Sequence, residues 1–340
     1  MRATKQLRRL WRREGGFGPT ALGVIASPLA ALFGTAVKTR NFLYDVGALP
    51  ASFAALPVIS IGNLAVGGTG KTPISGWLIR QLIRRGWKPA LVTGGYGEDE
   101  ILLHRRWNPQ VPVIVAKRRL DGARKSLELG RDIVVVDDGF QHRRMKREVD
   151  IVLLSPAHRF PPRLLPRGPF REPLEALRRA QIVLVIAKGG CELESARALV
   201  AELRRMPGIP QVEVFSLQPG EWETLDGNPE TPPAGSPLAV SSIAEPRGFF
   251  GIVEEKLGVK PELFSFPDHH PYTEGEVIRI SERAGSRWIA TTEKDAVKLV
   301  SFRELLPTVR VLPLVPIVGD ELVDQFLRPL GTSSFSQELE

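Results

Sequence analysis

The chain has almost no cysteine, since Cys191 is the only one in 340 residues. A lone cysteine excludes an internal disulfide framework and leaves a structural zinc cage without its usual thiolate ligands. This scarcity favours a reducing, cytoplasmic compartment. Internal repeats are also lacking. The composition, 43% hydrophobic and 25% charged, excludes a disordered or fibrous protein and allows a sizeable core in two linked domains.

Acidic residues are too few to balance the basic ones. Lysine and arginine number 46 against 38 aspartates and glutamates, which gives a formal net charge of +8. Such a surface favours partners that carry phosphate, whether nucleotide, nucleic acid or anionic lipid. Composition alone does not choose among these three classes.

Basic side chains cluster at the N-terminus, ahead of a mostly apolar run over residues 20–37. They are Arg2, Lys5, Arg8, Arg9, Arg12 and Arg13. The run is long for a signal peptide and barely long enough to span a bilayer, and Pro28 lies near its middle. A basic, partly apolar helix in the membrane interface fits better, with its arginines on anionic lipid. A helix packed on the protein itself is the remaining alternative.

Short apolar runs alternate with helical stretches from residue 57 onwards. This alternation predicts an α/β fold in which helices cover both faces of a mostly parallel sheet, as in P-loop NTPases. A helix is expected to begin near Pro73 and to stop at Gly86, because proline favours the first helical turn and glycine favours the residue after the last. The predicted strands are 58–61, 90–93, 133–136, 151–154 and 182–186.

A stretch rich in proline and glycine over 219–237 predicts a domain seam. Beyond it, Thr273 and Glu276 form a capping-box pattern that opens a helix, and 288–291 has the pattern of a strand. We therefore expect a second, smaller α/β domain. The expected organisation is an N-terminal membrane-associating, amphipathic helix over 1–40, a P-loop kinase domain over 41–218, the smaller domain over 219–330 and a frayed tail over 331–340.

A glycine-rich sequence joins the first predicted strand to the helix that follows it. It consists of Gly67, Gly68, Thr69, Gly70, Lys71 and Thr72. Glycines let backbone N–H groups converge on phosphate oxygens, while the lysine reaches the β and γ phosphates and the threonine hydroxyl holds Mg²⁺. The strict Walker A spacing places glycine where this chain has Ala65, so the match is imperfect. The context still predicts a phosphotransferase that uses ATP and Mg²⁺.

Asp137 and Asp138 end a predicted buried strand and are the candidates for the metal-binding carboxylate that accompanies a P-loop. Adjacent strand residues point to opposite faces, so we expect the two to have different roles.

Cations are also needed to meet charge on the transferring phosphoryl group. The candidates are Arg119, Arg143, Arg167 and Arg171, the last two in a stiff loop rich in proline. His269 and His270 are adjacent in a chain with only five histidines. They could be a metal site, a structural pair or a catalytic histidine with a carboxylate.

Several motifs together resemble the tetraacyldisaccharide 4'-kinases, the lipid A 4'-kinase family of Gram-negative bacteria. The resemblance covers nearly the whole chain. The motifs are Ser60-Ile61-Gly62-Asn63-Leu64 running into the phosphate loop and Pro73, Asp137-Asp138-Gly139-Phe140-Gln141-His142-Arg143, the run 167–173, Asp268-His269, and the run from Thr291 to Lys298.

The resemblance implies that ATP phosphorylates the 4'-hydroxyl of an acylated glucosamine disaccharide 1-phosphate, which gives lipid IVA. It implies a peripheral, monotopic location at the cytoplasmic face of the inner membrane, on its anionic surface, with no nucleic acid and no obligate protein partner. Asp99 and His269 match the family's catalytic dyad, and Lys71 and Asp138 join them as catalytic residues. The residues implied to bind the nucleotide and magnesium are Lys71, Thr72, Asp137 and Asp138. The implied substrate or phosphate contacts are Gln141, His142 and the four arginines named above.

This sequence departs from the family pattern just before the dyad aspartate. Family members usually have Ser-Arg-Gly-Tyr-Gly where this chain has Thr93-Gly94-Gly95-Tyr96-Gly97, so an arginine is missing. They also usually carry a longer insert before the acidic residues that include Asp99.

Other function classes fit less well. A regulatory GTPase would need lysine directly after Thr292, where this chain has Glu293. A nucleic-acid-dependent ATPase would interleave basic residues with aromatics, and a non-enzymatic membrane adaptor would not need Lys71 and Thr72. A P-loop kinase or ATPase with another membrane-associated or phosphorylated acceptor is the closest alternative.

Overall fold

A computed structural model describes residues 21–330 except 68, 96 and 159–161. The helices are α1 (Ala21–Asp45), α2 (Lys71–Arg84), α3 (Glu98–Trp107), α4 (Arg119–Glu128), α5 (Leu193–Arg204), α6 (Pro246–Leu257), α7 (Glu274–Ala284), α8 (Glu293–Leu299) and α9 (Asp320–Leu327). The strands are β1 (Val58–Asn63), β2 (Pro89–Thr93), β3 (Val113–Val115), β4 (Ile133–Asp137), β5 (Val149–Leu154), β6 (Ile182–Lys188), β7 (Gln211–Pro219), β8 (Leu238–Ser241), β9 (Glu262–Ser265), β10 (Ile289–Thr292), β11 (Val309–Leu312) and β12 (Leu314–Ile317).

Eight strands form the larger sheet, in the order β12-β7-β6-β5-β1-β4-β2-β3. All its neighbours run parallel except β12, which is antiparallel to β7 at the edge. The five strands predicted from apolar runs are all present and are buried along nearly their whole length. Their burial on both faces explains the continuous apolar pattern. The predicted parallel sheet is therefore confirmed.

Helix α2 packs its apolar face on this sheet through residues such as Ile74 and Leu78, both fully buried. Trp77 on the same helix makes edge-on contacts with Phe215 and Phe326, at 5.1 and 6.0 Å between ring centroids. The helix ends at Arg84, two residues before Gly86, and Gly86 has a φ of +84°, which glycine adopts without strain.

Four strands form the second sheet, in the order β11-β10-β8-β9, and all are parallel. The predicted capping box of Thr273 and Glu276 is present at the start of α7. The stretch 220–237 forms turns and isolated bridges before β8 begins. After β11 the chain returns to the larger sheet, where it forms β12 and α9. The four-stranded sheet and its helices, here called the second unit, are therefore inserted in the larger unit that is built on the eight-stranded sheet. The last residues of the expected 219–330 domain belong to the larger unit.

The description of helix α1 starts at Ala21, so the whole basic cluster at residues 2–13 lies outside the described residues, as does the tail over 331–340. Ala26, Ala30 and Val37 on the helix are buried against the protein. Leu29, Leu32 and Phe42 on its other side are exposed. Apolar residues thus lie on both sides, and the expected amphipathic division is not observed. Among the described residues, no helix is both long and apolar enough to cross a membrane.

Candidate active site

The phosphate loop follows β1 and leads into α2, as predicted. Gly67 and Gly70 adopt φ values of +138° and +87°, in the region that favours glycine. The Asn63 side-chain amide donates to Thr69 Oγ1 over 2.8 Å and anchors the loop to the end of the strand. Gly68 lies outside the described residues. Lys71 opens α2, so the unpaired N–H groups of its first turn face the same space.

A cavity of about 740 Å³ lies in front of this loop, between the two sheets. The site residues predicted from sequence that line it are Gly67, Thr69, Gly70, Lys71, Thr72, Arg119, Asp137, Asp138, His142, Arg171 and His269. One wall is apolar and includes Leu217, Phe249, Ile252 and Leu312. The cavity therefore combines a phosphate-binding end with a surface suited to a flat apolar ring.

The two aspartates at the end of β4 have different environments. Asp137 is buried, and burial together with the nearby charges of Glu100 and Asp138 raises its pKa to about 7. Burial also acts on Asp138, but the cations of Lys71, at 3.6 Å, and Arg171, at 2.9 Å, lower its pKa below the usual value. Asp138 also has a φ of +54°. This contrast fits the expected difference in role.

A magnesium ion fits this group of residues. The Oδ1 atoms of Asp137 and Asp138 are buried without a hydrogen-bond partner, which is costly unless something else satisfies them. Thr72, also in the cavity, has a buried side chain and supplies a hydroxyl. Within the described ranges, no cluster of three or more His, Cys, Asp or Glu side chains could hold a metal. Mg²⁺ in nucleotide sites commonly takes one or two carboxylates plus substrate phosphates, which matches this arrangement.

Asp99 and His269 meet across the gap between the units. His269 Nδ1 lies 2.8 Å and 3.1 Å from the two carboxylate oxygens of Asp99. Burial acts to raise the pKa of Asp99, but the His269 hydrogen bond and the charges of Lys294 and Lys298 lower it to about 2. The same hydrogen bond raises the pKa of His269. His269 has a φ of +57°, a conformation that non-glycine residues rarely adopt and that is held by its surroundings.

The predicted cations do not all reach the cavity. Arg119 and Arg171 line it, and backbone hydrogen bonds between the 169–171 segment and the 64–66 segment place Arg171 beside Asp138. Arg143 instead pairs with Asp45 at 2.7 Å and stacks on Tyr44, which fastens α1 to the larger unit.

Two further expected contacts also lie apart from the cavity walls. Gln141 donates to the Asn63 carbonyl over 2.9 Å, so it supports the phosphate loop from behind. Arg167 is half-buried and does not line the cavity. Arg143, Arg167 and Gln141 were expected from sequence as substrate or phosphate contacts, and none of the three lines this cavity.

Three charged residues of the cavity region were not assigned roles from sequence. Glu100 forms an ion pair with Lys294 at 2.5 Å; burial acts to raise the pKa of Glu100, but Lys294 and the nearby Thr72 side chain lower it below its usual value. Lys298 lies 3.6 Å from Asp99. Their positions in the sequence could have indicated these roles. Glu100 directly follows Asp99, and the two lysines lie one helical turn apart in the 291–298 motif, which places them on the same face of a helix.

The comparisons with known proteins agree with each other. The family model for tetraacyldisaccharide-1-P 4'-kinase matches residues 22–101 and 97–330. Tetraacyldisaccharide 4'-kinase of Anaeromyxobacter dehalogenans is 40% identical over 329 residues, covering 86% of each chain, and that of Aeromonas hydrophila is 31% identical over 97% of this chain and 98% of its own. A crystal structure of LpxK from Aquifex aeolicus in complex with ATP superimposes with a TM-score of 0.71 at 27% identity, covering 91% of this chain and 99% of that one.

Proposed function

The chain belongs to the tetraacyldisaccharide 4'-kinase family, and we propose that Asp99 and His269 serve its transfer of phosphate from ATP. The reaction is phosphorylation of the 4'-hydroxyl of a tetraacyldisaccharide 1-phosphate, a step of lipid A biosynthesis that forms lipid IVA. ATP is the phosphate donor. The observation that carries the assignment of roles is the Asp99–His269 contact at the edge of the cavity lined by the phosphate loop.

The nucleotide end of the site is the phosphate loop. Backbone N–H groups at the start of α2 bind phosphate oxygens, and Lys71 reaches the terminal phosphates. Thr72, Asp137 and Asp138 would hold Mg²⁺, which neutralises charge on the phosphates when bound. The apolar wall with Phe249 suits the adenine ring.

The acceptor end is the dyad. Asp99 is ionised at neutral pH because its pKa is about 2. It can therefore orient the sugar hydroxyl by accepting its hydrogen bond, and it takes the proton as the new P–O bond forms. His269 holds this carboxylate through Nδ1 and fixes its direction. The arrangement supplies positioning more than basicity, which suits a transfer whose transition state has little bond formation to the nucleophile.

The transferring phosphoryl group develops charge that cations can stabilise. Arg119 and Arg171 lie in the cavity wall beside the aspartates, and His142, whose pKa burial lowers below its usual value, lines the same wall as a hydrogen-bonding group. Arg171 is held by Asp138 at 2.9 Å, so its guanidinium is already fixed next to the metal-binding carboxylates. A preorganised cation costs no rearrangement during the reaction.

A lipid acceptor requires contact with a membrane surface. Leu29, Leu32 and Phe42 project from α1 and are each more than half exposed, at 54%, 69% and 61%. Such a patch on a helix that follows a strongly basic segment supports binding to an anionic bilayer. We propose that α1 rests on the cytoplasmic face of the inner membrane and brings the cavity to the lipid.

The experiment is transfer of labelled γ-phosphate from ATP to tetraacyldisaccharide 1-phosphate in detergent micelles. Wild type should form a labelled lipid, and Lys71→Ala should abolish it. Lys125→Ala, an exposed substitution on α4, is the matched control and should keep the full rate. Bound Mg-ATP with no labelled product in wild type would contradict the assigned acceptor and favour another phosphorylated acceptor.

A further inference from the structure

A buried polar cluster in the second unit lies next to the dyad. We name Ser242, Tyr272, Thr292 and Asp295 the Asp295 cluster. The Asp295 carboxylate is fully buried and accepts hydrogen bonds from the Ser242 N–H at 3.0 and 3.1 Å, the Ser242 hydroxyl, the Tyr272 hydroxyl at 2.9 Å and the Thr292 hydroxyl at 2.7 Å. A buried carboxylate with this many donors is held in one orientation.

Lys298, one turn after Asp295 on α8, is the cation of this cluster. Its Nζ lies 3.0 Å from Asp295 Oδ1 and 2.5 Å from Ser242 Oγ, and its side chain is only 11% exposed. The ammonium also lies 5.3 Å from the centroid of the Tyr272 ring. These contacts remove most of the freedom that a lysine side chain usually has.

The same ammonium reaches out of the cluster to the dyad. Lys298 Nζ is 3.6 Å from Asp99 Oδ2, while His269 Nδ1 is 2.8 Å from Asp99 Oδ1. His269 Nδ1 also lies 3.1 Å from Oδ2, so the imidazole spans both carboxylate oxygens and the Lys298 ammonium is a second contact on Oδ2. The terminal torsion of a carboxylate is broad, so contacts from the imidazole nitrogen alone restrain it less than contacts from two separate side chains. The second contact limits that rotation.

Ser242 links the two partners of Asp99. Its hydroxyl bonds to Lys298, and its backbone carbonyl accepts the His269 N–H over 3.0 Å. The imidazole and the ammonium therefore approach Asp99 from one scaffold. Lys294, one turn earlier on α8, pairs with Glu100 instead. The two lysines of the motif thus have separate partners on α3.

We propose that Lys298 is a positioning residue that fixes the Asp99 carboxylate for the acceptor hydroxyl by connecting it to the Asp295 cluster. This proposal rests on the role of Asp99 given above. The orientation of the Asp99 carboxylate, which belongs to the larger unit, then depends on how the second unit packs against α3. A misplacement of about 1 Å can reduce a transfer rate about a hundredfold, so a contact of this kind affects turnover without touching ATP.

Variants at position 298 provide the first part of the test. Lys298→Met should lower kcat about 10- to 100-fold and change the KM for ATP less than about twofold. Lys298→Arg keeps the charge and should recover most of the rate. Arg287→Met is the control for structural damage in the second unit, because it removes the ion pair with Glu262 and leaves Lys298 beside Asp99. It should leave kcat within about twofold of wild type.

A double-mutant cycle with Asp99→Asn decides the proposal. Single-turnover transfer to the lipid acceptor is measured for wild type, both single variants and the double variant. Lys298→Met should slow wild type strongly but slow Asp99→Asn less than about twofold, because no ionised carboxylate remains to be aimed. Equal slowing in both backgrounds, or a wild-type rate in Lys298→Met beside a slow Asp99→Asn, would overturn the role of Lys298 alone. A wild-type rate in Asp99→Asn would instead overturn the proposed role of Asp99.

Discussion

At the scale of single residues, the dyad depends on the missing side chain of Gly97. A Cβ at this position would lie 2.8 Å from Asp99 Oδ1 and 3.0 Å from both Cε1 and Nδ1 of His269. The φ of Gly97 is −173°, which any residue can adopt. Glycine is therefore required here for space, since the imidazole and the carboxylate occupy the volume that a side chain would need.

His104 on α3 is buried, and among the described residues neither of its ring nitrogens has a hydrogen-bond partner. Burial lowers the pKa of His104 to about 4, with Glu100 opposing the shift. Unfolding restores an ordinary pKa of about 6.5, so the unfolded chain takes up the proton first as pH falls. The neutral form thus contributes stability that is complete above about pH 6.5 and is lost as pH falls towards the folded pKa.

We predict that His104→Leu makes the fold less sensitive to acid. Between about pH 8 and about pH 5, wild type should lose about 2 kcal/mol more free energy of unfolding than the variant. Urea unfolding of both proteins at the two pH values measures this difference. The same loss in both would show that His104 does not titrate as a buried neutral group.

Sequence motifs identified the dyad, the phosphate loop and the aspartates as candidates because the residues of each motif follow one another or match a known pattern. They did not give the partners of these residues. Lys298 contacts Asp99 across 199 positions of the chain, a pairing that only the docking of two units creates. Arg143 was expected as a phosphate contact because it is a cation at the end of the 137–143 motif, but its side chain pairs with Asp45 on α1.

At the scale of elements, α3 is held at both ends by α8. Its first turn carries Asp99 and Glu100, which face the two lysines of α8. At its last residue, Trp107 Nε1 donates to Glu293 Oε1 over 2.7 Å. The Trp107 ring also lies directly over Gly76 of α2, where a Cβ would come within 2.5 Å of it. Trp107 therefore joins the helix of the phosphate loop to the second unit.

Trp107→Phe should loosen this joint while keeping an aromatic ring over Gly76. The half-buried carboxylate of Glu293 loses its side-chain donor, so we expect the free energy of unfolding to fall by about 1–3 kcal/mol. We also expect a lower kcat, because α3 carries Asp99. Denaturant unfolding and steady-state kinetics measure the two effects.

Trp288→Phe is the matched control, since Trp288 Nε1 donates over 3.2 Å to the backbone carbonyl of Gly235, away from α3. It should leave kcat unchanged. A full rate in Trp107→Phe, or an equal loss of kcat in both variants, would argue against α3 being fixed through Trp107.

Helix α1 gives a separate prediction. Replacing Leu29, Leu32 and Phe42 by serine should lower binding to vesicles of phosphatidylethanolamine and phosphatidylglycerol about tenfold or more, because exposed apolar area is lost. Co-sedimentation measures this binding. Leu127→Ser with Leu129→Ser removes exposed apolar side chains near the end of α4 and should change binding little. Equal binding by the triple variant and wild type would contradict the proposed membrane contact.

Elements with long apolar runs were predictable, and elements defined by distant pairing were not. The strands around β1 are buried on both faces and have a clear signal in the sequence. Strand β12, by contrast, alternates between half-buried and exposed residues and owes its place to pairing with β7, about a hundred residues earlier. The return of the chain to the large sheet could therefore not be read from local pattern.

At the scale of the whole molecule, the two units supply different parts of the reaction. The larger unit provides the phosphate loop, the aspartates proposed to hold Mg²⁺ and Asp99, and the second unit provides His269 and the lysines of α8. Because β12 returns to the larger sheet, the chain crosses between the units twice, at 220–237 and at Pro313. Two crossings limit how far the second unit can turn away from α3, and so they help to keep the dyad together.

The most direct measurement is the single-turnover rate of phosphate transfer from Mg-ATP to tetraacyldisaccharide 1-phosphate in Asp99→Asn and wild type, with ATP affinity measured on the same samples. The side chain keeps its shape but can no longer accept the hydroxyl proton. We predict a rate about 10² to 10⁴ times lower with the Kd for ATP changed less than about twofold. A rate equal to wild type, or a loss explained wholly by weaker ATP binding, would contradict the assignment of Asp99 to the acceptor hydroxyl.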